Sequence, residues 1–303
     1  MNEFVALSLI PILIGVLAAL TCALPGNFLL LRRQALIGDA ISHVVLPGIV
    51  VGFLISGAVT TWPMLLGAAV AAVIAVTLIE LIRQIGKVEA GAAMGVVFTS
   101  MFAAGVLLLE ITDTSQVHLD VEHALYGNLE SLIWLSGTSW GSIFDPAALA
   151  DLPAAFWRVM AALALVASFI AVFWRVLKIS TFDPAYAATL GIPVRLLSFA
   201  LVVLVSIAAV AAFDAVGSII VIAMMICPPA AARLMTDQLG RQIAWSCLFA
   251  VLSAVAGYAL AGYGPIWLGF DNAVSAAGMI AAVSGAVLLL ACCYGPHRQR
   301  LAA

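Results

Sequence analysis

Apolar residues in this chain neither alternate with polar ones nor form stripes; they run on in long unbroken blocks. Nine such blocks stand at about 4–29, 36–56, 62–82, 92–110, 155–177, 194–213, 216–233, 242–262 and 275–294. A helix rises about 1.5 Å per residue and the hydrocarbon core of a bilayer is roughly 30 Å thick, so about 20 apolar residues suffice to span it. The pattern predicts an all-α integral membrane protein of nine spanning helices, or eight if one short run is a half-helix. A membrane β-barrel would instead show segments of about ten residues with alternating polarity. The first block does not read as a cleavable signal peptide: Glu3 is its only charge, no basic region precedes it, and the run is too long.

Composition agrees with the pattern. Of 303 residues 65% are hydrophobic and 9% charged, against roughly 25% charged in a soluble domain, and the mean hydropathy is +1.21. This excludes a water-soluble globule, and disorder too, which requires low hydrophobicity and high net charge. The bilayer is therefore a partner. A net charge of -3 argues against nucleic acid, which demands a basic patch. The five cysteines lie in apolar runs without a CxxC spacing and read as small core residues.

The cations set an orientation. With the amino terminus outside, Arg32, Arg33, Arg83, Lys87, Arg175, Lys178, Arg195, Arg233, Arg241, Arg298 and Arg300 lie inside, leaving Arg158 as the exception. The positive-inside rule selects this topology, with a cytoplasmic carboxyl terminus. No composition shift marks a second domain, so residues 1–303 read as one transmembrane domain. Two connections stand out: a long external segment at 111–154, and an internal one at 179–193. In the latter Asp183 suits an N-cap, Pro184 the first helical position and Gly191 a left-handed C′ residue, with Pro193 ending the helix. So short a helix cannot span; it is either a plain connecting turn or a stiff cytoplasmic surface on which another protein acts.

Ionisable groups inside apolar spans cost of the order of 2.5–3.5 kcal/mol each and mark functional candidates. Asp39 and His43 are such a pair, four residues apart on one helix face. Measured at helical rise from Arg33, they would lie about 9 Å and about 15 Å in, which puts His43 near mid-membrane. Carboxylate and imidazole suit manganese, iron or zinc, and the lack of sulfur argues against Cu(I). One chain supplies only two ligands, so a dimer with this helix at its axis would double them. Equally, Asp39 could cap its helix and His43 could bond a neighbouring helix as a neutral group. Externally, His118, Asp120, Glu122 and His123 form a second set, either a cation site or a solvated docking surface. Adjacent Pro228 and Pro229 mark either a hinge in a pathway wall or a structural kink. No Walker A sequence is present, nor a GxSxG or HExxH motif. Energy from ATP would have to come from another chain.

These pieces coincide in one family. The stretch Leu31-Arg-Arg-Gln-Ala-Leu-Ile-Gly-Asp-Ala-Ile-Ser-His-Val-Val-Leu-Pro-Gly48 closely resembles a helix motif of the permeases of manganese, zinc and iron ABC importers. Gly95-Val-Val-Phe-Thr-Ser-Met-Phe, Phe182-Asp-Pro-Ala-Tyr-Ala-Ala-Thr-Leu-Gly191, and Val216-Gly-Ser-Ile-Ile-Val through Pro229-Ala-Ala-Ala-Arg-Leu234 resemble further family stretches in the same order. The resemblance implies a type II importer permease fold in a bacterial cytoplasmic (inner) membrane. It also implies a second permease copy or paralogue, cytoplasmic ATP-binding subunits and an extracytoplasmic metal-binding protein. The transported ion would be Mn²⁺, Fe²⁺ or Zn²⁺, with no permanently bound cofactor and ATP only on the partner. By resemblance, Asp39 and His43 correspond to the metal pair of the translocation pathway. Asp183, Pro184, Ala185, Tyr186, Ala187, Leu190 and Gly191 correspond to the coupling helix that docks on the ATPase. The His118–Glu130 region resembles the manganese/iron branch. The doubled Pro228-Pro229 departs from relatives with one proline. A stand-alone proton-coupled transporter, with Asp39 and His43 as a relay, is the alternative to an ATP-driven importer, and a non-transporting scaffold would leave both residues as unexplained costs.

Overall fold

Continuous apolar sequence satisfies its backbone in lipid only by bonding to itself, and each long block does so as a helix. The computed structural model describes residues 4–56, 61–111, 129–137, 140–267, 269 and 274–296. A π-helical turn, Val5–Leu9, leads into α1 (Ile10–Leu31), followed by α2 (Ile37–Ser56), α3 (Thr61–Gly86) and α4 (Ala90–Ile111). Two 3₁₀ turns, Leu129–Ser131 and Trp140–Phe144, and the short α5 (Pro146–Ala150) precede α6 (Ala154–Val172). Then come α7 (Trp174–Phe182), α8 (Pro184–Thr189), α9 (Val194–Val216), α10 (Ser218–Met235), α11 (Leu239–Trp267) and α12 (Ala276–Tyr294). Among the described residues nine helices are long and apolar enough to cross a membrane, and no strand occurs.

Two boundaries differ from the sequence expectation. The block at 155–177 is two helices, because the chain breaks at Phe173 (φ -94°, ψ 13°) and restarts as α7. That helix, WRVLKISTF, carries two cations and three hydroxyl or aromatic residues in its last turns, and buries only Leu177 and Ser180. Residues 179–182 therefore end α7 instead of belonging to the connection. Further on, Gly217 at φ +79° separates α9 from α10.

The chain forms two compact units. One comprises the described parts of Met1–Asn27, Glu122–Ser168 and Ala212–Ala303, the other those of Phe28–Val121 and Phe169–Ala211. Each is discontinuous in sequence and built round three mutually packed helices.

In the second unit α2, α3 and α4 enclose Val44, Ala71, Ala75 and Val97, with Phe98 and Met101 against them. Without a hydrophobic driving force in lipid, helices associate where small residues let backbones meet. Gly48 and Gly52 of α2 and Gly67 of α3 are such points: a Cβ at Gly48 would strike the Gly67 carbonyl, and one at Gly67 the Gly48 carbonyl. On the other side of α2, a Cβ at Gly105 of α4 would lie 2.8 Å from Pro47 Cδ. Leu66, Val70, Ile74, Leu78 and Leu81 form an exposed apolar face along α3. Such a face is intolerable in water and ordinary in lipid.

In the first unit α10, α11 and α12 enclose Ala231, Leu234 and Ala291. Gly26 of α1 meets the Met225 carbonyl and stands 3.1 Å from Pro229 Cγ, measured from the position of an added Cβ. Asn27 Nδ2 donates to the Ala23 carbonyl at 2.7 Å and its Oδ1 accepts from Gln242 Nε2 at 3.1 Å, a buried amide pair joining α1 to α11. Parts of the 111–154 connection are firmly built in. Trp134 is buried and donates Nε1–H to the Ala148 carbonyl at 2.8 Å, and Glu130 Oε1 accepts from the Ala276 amide at the start of α12, at 2.6 Å.

Candidate metal site

Asp39 lies in the first turn of α2 and His43 one turn on. The spacing places Asp39 Oδ1 3.7 Å from His43 Nε2, with the side chains 39% and 36% exposed. That is close enough for one ion to be held by both and open enough for it to arrive. The imidazole has its own clamp on α4: Phe98 stacks on it and Phe102 meets it edge-on, each with ring centroids 5.5 Å away. Pro47, having no N–H, withdraws the donor that the His43 carbonyl would otherwise receive one turn earlier.

The helical count from Arg33 does not hold. Residues between Arg33 and Ile37 form turns, so helical rise cannot be counted from Arg33. Counted from Ile37, Asp39 is about 3 Å and His43 about 9 Å along a helix about 30 Å long. His43 thus sits about one third of the way along, not at its middle. Among the described residues no group of three or more His, Cys, Asp or Glu could hold a metal. Among the described residues only Asp39 and His43 stand together here, so an ion held between them would draw its other ligands from water, carbonyl oxygen or another subunit. His118, Asp120, Glu122 and His123 lie outside the described residues.

The short helix α8 forms as its punctuation requires. Asp183 Oδ1 accepts from the Tyr186 amide at 2.8 Å and Pro184 opens the helix. Gly191 takes φ +78°, and the Ile192 amide donates to the Ala187 carbonyl at 3.1 Å, closing the end. Ala187 is buried, whereas Tyr186 and Leu190 are exposed by 53% and 52%. Phe182, just before the cap, is equally exposed and extends that apolar face. Pro184, Ala185 and Gly191 are exposed as well. The two prolines of α10 do not break it: the helix runs through Pro228 and Pro229, both buried. Because Pro229 offers no N–H to the Met225 carbonyl, that oxygen is free to face Gly26.

Residue reasoning passed over three features. The Gly48-xxx-Gly52 spacing is a readable sign of close helix approach. Phe98 and Phe102 fall in the stretch 95–102 quoted above, yet nothing in it pairs them with His43, since aromatic residues are ordinary in spans. Arg32, read above only as an inside cation, is held three ways: its Nε, Nη1 and Nη2 donate to Thr181 Oγ1 at 3.1 Å, Ser198 Oγ at 2.8 Å and Ser180 Oγ at 2.9 Å. This clasp ties the end of α1 to α7 and α9, and burial lowers the Arg32 pKa from its ordinary value.

The profile of the ABC 3 transport family matches residues 6–133 and 149–295. The chain belongs to that family. The matched residues take in Asp39, His43, α8 and the two prolines, and the gap falls within the 111–154 connection. The chain is 41% identical over 283 residues to the manganese transport system membrane protein MntD of Bacillus subtilis (strain 168), covering 93% of this chain and 90% of that protein. To the zinc transport system membrane protein TroD of Treponema pallidum (strain Nichols) it is 39% identical over 217 residues, 72% of this chain and 57% of that one. Among solved structures it is similar to PsaBC from Streptococcus pneumoniae in complex with Fab, with a TM-score of 0.75 at 25% identity over 96% of this chain and 93% of that one. The resemblance read from residues 31–48 thus extends over nearly the whole sequence, and the all-helical membrane fold expected from it is the fold found.

Proposed function

We propose that this chain is the membrane permease subunit of an ATP-driven importer of divalent transition-metal ions, manganese foremost, with iron and zinc as further cargo. The observation that carries the reading is the Asp39–His43 pair, half-open on α2; the manganese and zinc systems among its relatives support it. In this reading residues 1–303 act as one transmembrane domain, amino terminus outside. It pairs with a second permease at an axis where two copies of α2 supply four ligands. An extracytoplasmic binding protein delivers the ion, and cytoplasmic ATP-binding subunits supply the energy. The multi-pass chain resides in a bacterial cytoplasmic membrane.

Asp39 offers a carboxylate oxygen and His43 a neutral imidazole nitrogen, which replace part of the water shell as the ion leaves solvent. Phe98 and Phe102 limit rotation of the imidazole, so little ordering is needed on arrival. Two ligands per chain hold an ion weakly, as passage requires, since exit matters as much as entry. Affinity at such a site follows the general order of divalent ions, which places manganese low. Choice among metals therefore rests with delivery. On the far side, Phe182, Tyr186 and Leu190 give the ATP-binding subunit an apolar face on a capped helix, stiff enough to transmit motion to α7 and α9.

Isotope uptake by the reconstituted complex, compared across manganese, iron and zinc, tests this. Asp39→Asn and His43→Ala should each abolish uptake while the complex assembles and retains basal ATPase activity. Wild-type uptake by either variant would remove the site from the pathway. Uptake by the purified chain alone in liposomes, driven by a proton gradient without ATP, would replace the reading with secondary transport.

A further inference from the structure

A cavity of about 750 Å³ opens within the second unit, between the end of α1, the start of α2, the end of α3 and the start of α9. Arg32, Arg33, Arg83 and Arg195 line it, against the single carboxylate of Glu80. Glu80 is already engaged with Arg83 Nη1 at 3.3 Å and Gln84 Nε2 at 2.7 Å. Arg33, Arg83 and Arg195 are exposed, at the ends of apolar spans, which is headgroup level. Deeper in, Val76, Ile79, Phe199 and Val202 line the walls. From Arg83 back to Val76, and from Arg195 on to Val202, is about 10 Å at helical rise. The cavity is thus cationic at its mouth and apolar inside.

The lining points to an occupant. Arg33 adopts φ +58°, a left-handed conformation that glycine takes without strain and arginine does not. The Arg33 side chain is thus held there at a backbone cost, as that of Lys87 is at φ +50°. A ligand with a phosphate for the arginines and hydrocarbon for the interior fits both the mouth and the walls. The cavity is not the metal site seen from behind: Ile37 and Ile41, which line it, stand two residues either side of Asp39 and so about 200° round α2.

We propose that this cavity binds an anionic phospholipid of the phosphatidylglycerol type, headgroup on Arg33, Arg83 and Arg195 and acyl chains inside, supporting α2 from the face opposite its metal ligands. Basic pockets between spanning helices on the cytoplasmic side recognise such headgroups.

The full chain, purified from nanodiscs holding equal amounts of phosphatidylglycerol and phosphatidylcholine with identical acyl chains, should retain the former with several-fold enrichment by native mass spectrometry. The variant carrying Arg33→Gly and Arg195→Gln should retain both lipids equally, with a thermal midpoint in phosphatidylcholine no lower than wild type, because Arg33→Gly relieves strain. Lys87→Gly is the control: it removes a cation at φ +50° that does not line the cavity, and should keep the enrichment. Undiminished enrichment in the double variant, or an equal loss with Lys87→Gly, would overturn the site. Displacement of the lipid by inorganic phosphate would assign the cavity to a free anion instead. Loss of ATP-binding subunit from the double variant with enrichment intact would assign it to protein docking.

Discussion

His43 is defined less by its neighbours in sequence than by two rings on another helix. Phe102→Leu keeps an apolar group but removes the edge contact, so the imidazole gains freedom. Manganese uptake should show a several-fold higher KM with a smaller change in maximal rate; an unchanged KM would separate Phe102 from the site. Gly26 makes a second residue-scale case. A Cβ there runs into the Met225 carbonyl, and overpacking a close contact costs about 1–3 kcal/mol. Gly26→Ala should lower the thermal midpoint measurably in detergent, whereas Gly91→Ala, where nothing lies within 4 Å, should not. The pair Asp39 and His43 was legible because ionisable groups in apolar sequence are rare. Gly26 was not, because a glycine says nothing about which carbonyl approaches it.

Among the elements, α8 is the clearest instance of local chemistry dictating local structure. Asp183, Pro184 and Gly191 carry their conformational preferences with them, and all three act in the folded chain as those preferences require. Asp183→Ala removes the cap on the Tyr186 amide, worth about 1 kcal/mol. Faster hydrogen exchange confined to residues 184–189 and weaker binding of the ATP-binding subunit are the expected outcome. Tyr186→Ala should weaken the same binding without altering exchange. Equal binding by both variants would remove α8 from the docking face. Helix α7 shows the opposite case. Its apolar residues let it read as a continuation of the preceding span, and only the break at Phe173, together with the Arg32 clasp on Ser180 and Thr181, makes it separate.

At the scale of the molecule, eleven of twelve cations on one side predict the orientation. In a variant without its five cysteines, Leu135→Cys should react with an impermeant maleimide on intact cells. Gln84→Cys should react only after lysis, and the reverse pattern would invert the topology. Both positions are exposed. Two units, each discontinuous in sequence, left no trace in composition because both are equally apolar.

The existence of the apolar spans and most of their bounds, the capped helix α8 and the Asp39–His43 spacing follow from the sequence alone, whereas the choice of nine over eight and the break at Phe173 do not. The former rest on chemistry local to a few residues or to one helix face. Tertiary structure alone decided which helices meet, that Phe98 and Phe102 flank the imidazole, and that Arg32 bridges residues about 150 positions away. In lipid every apolar face is equally content with hydrocarbon. Choice of partner therefore falls to small-residue contacts and a few buried hydrogen bonds, whose pairing no local pattern encodes.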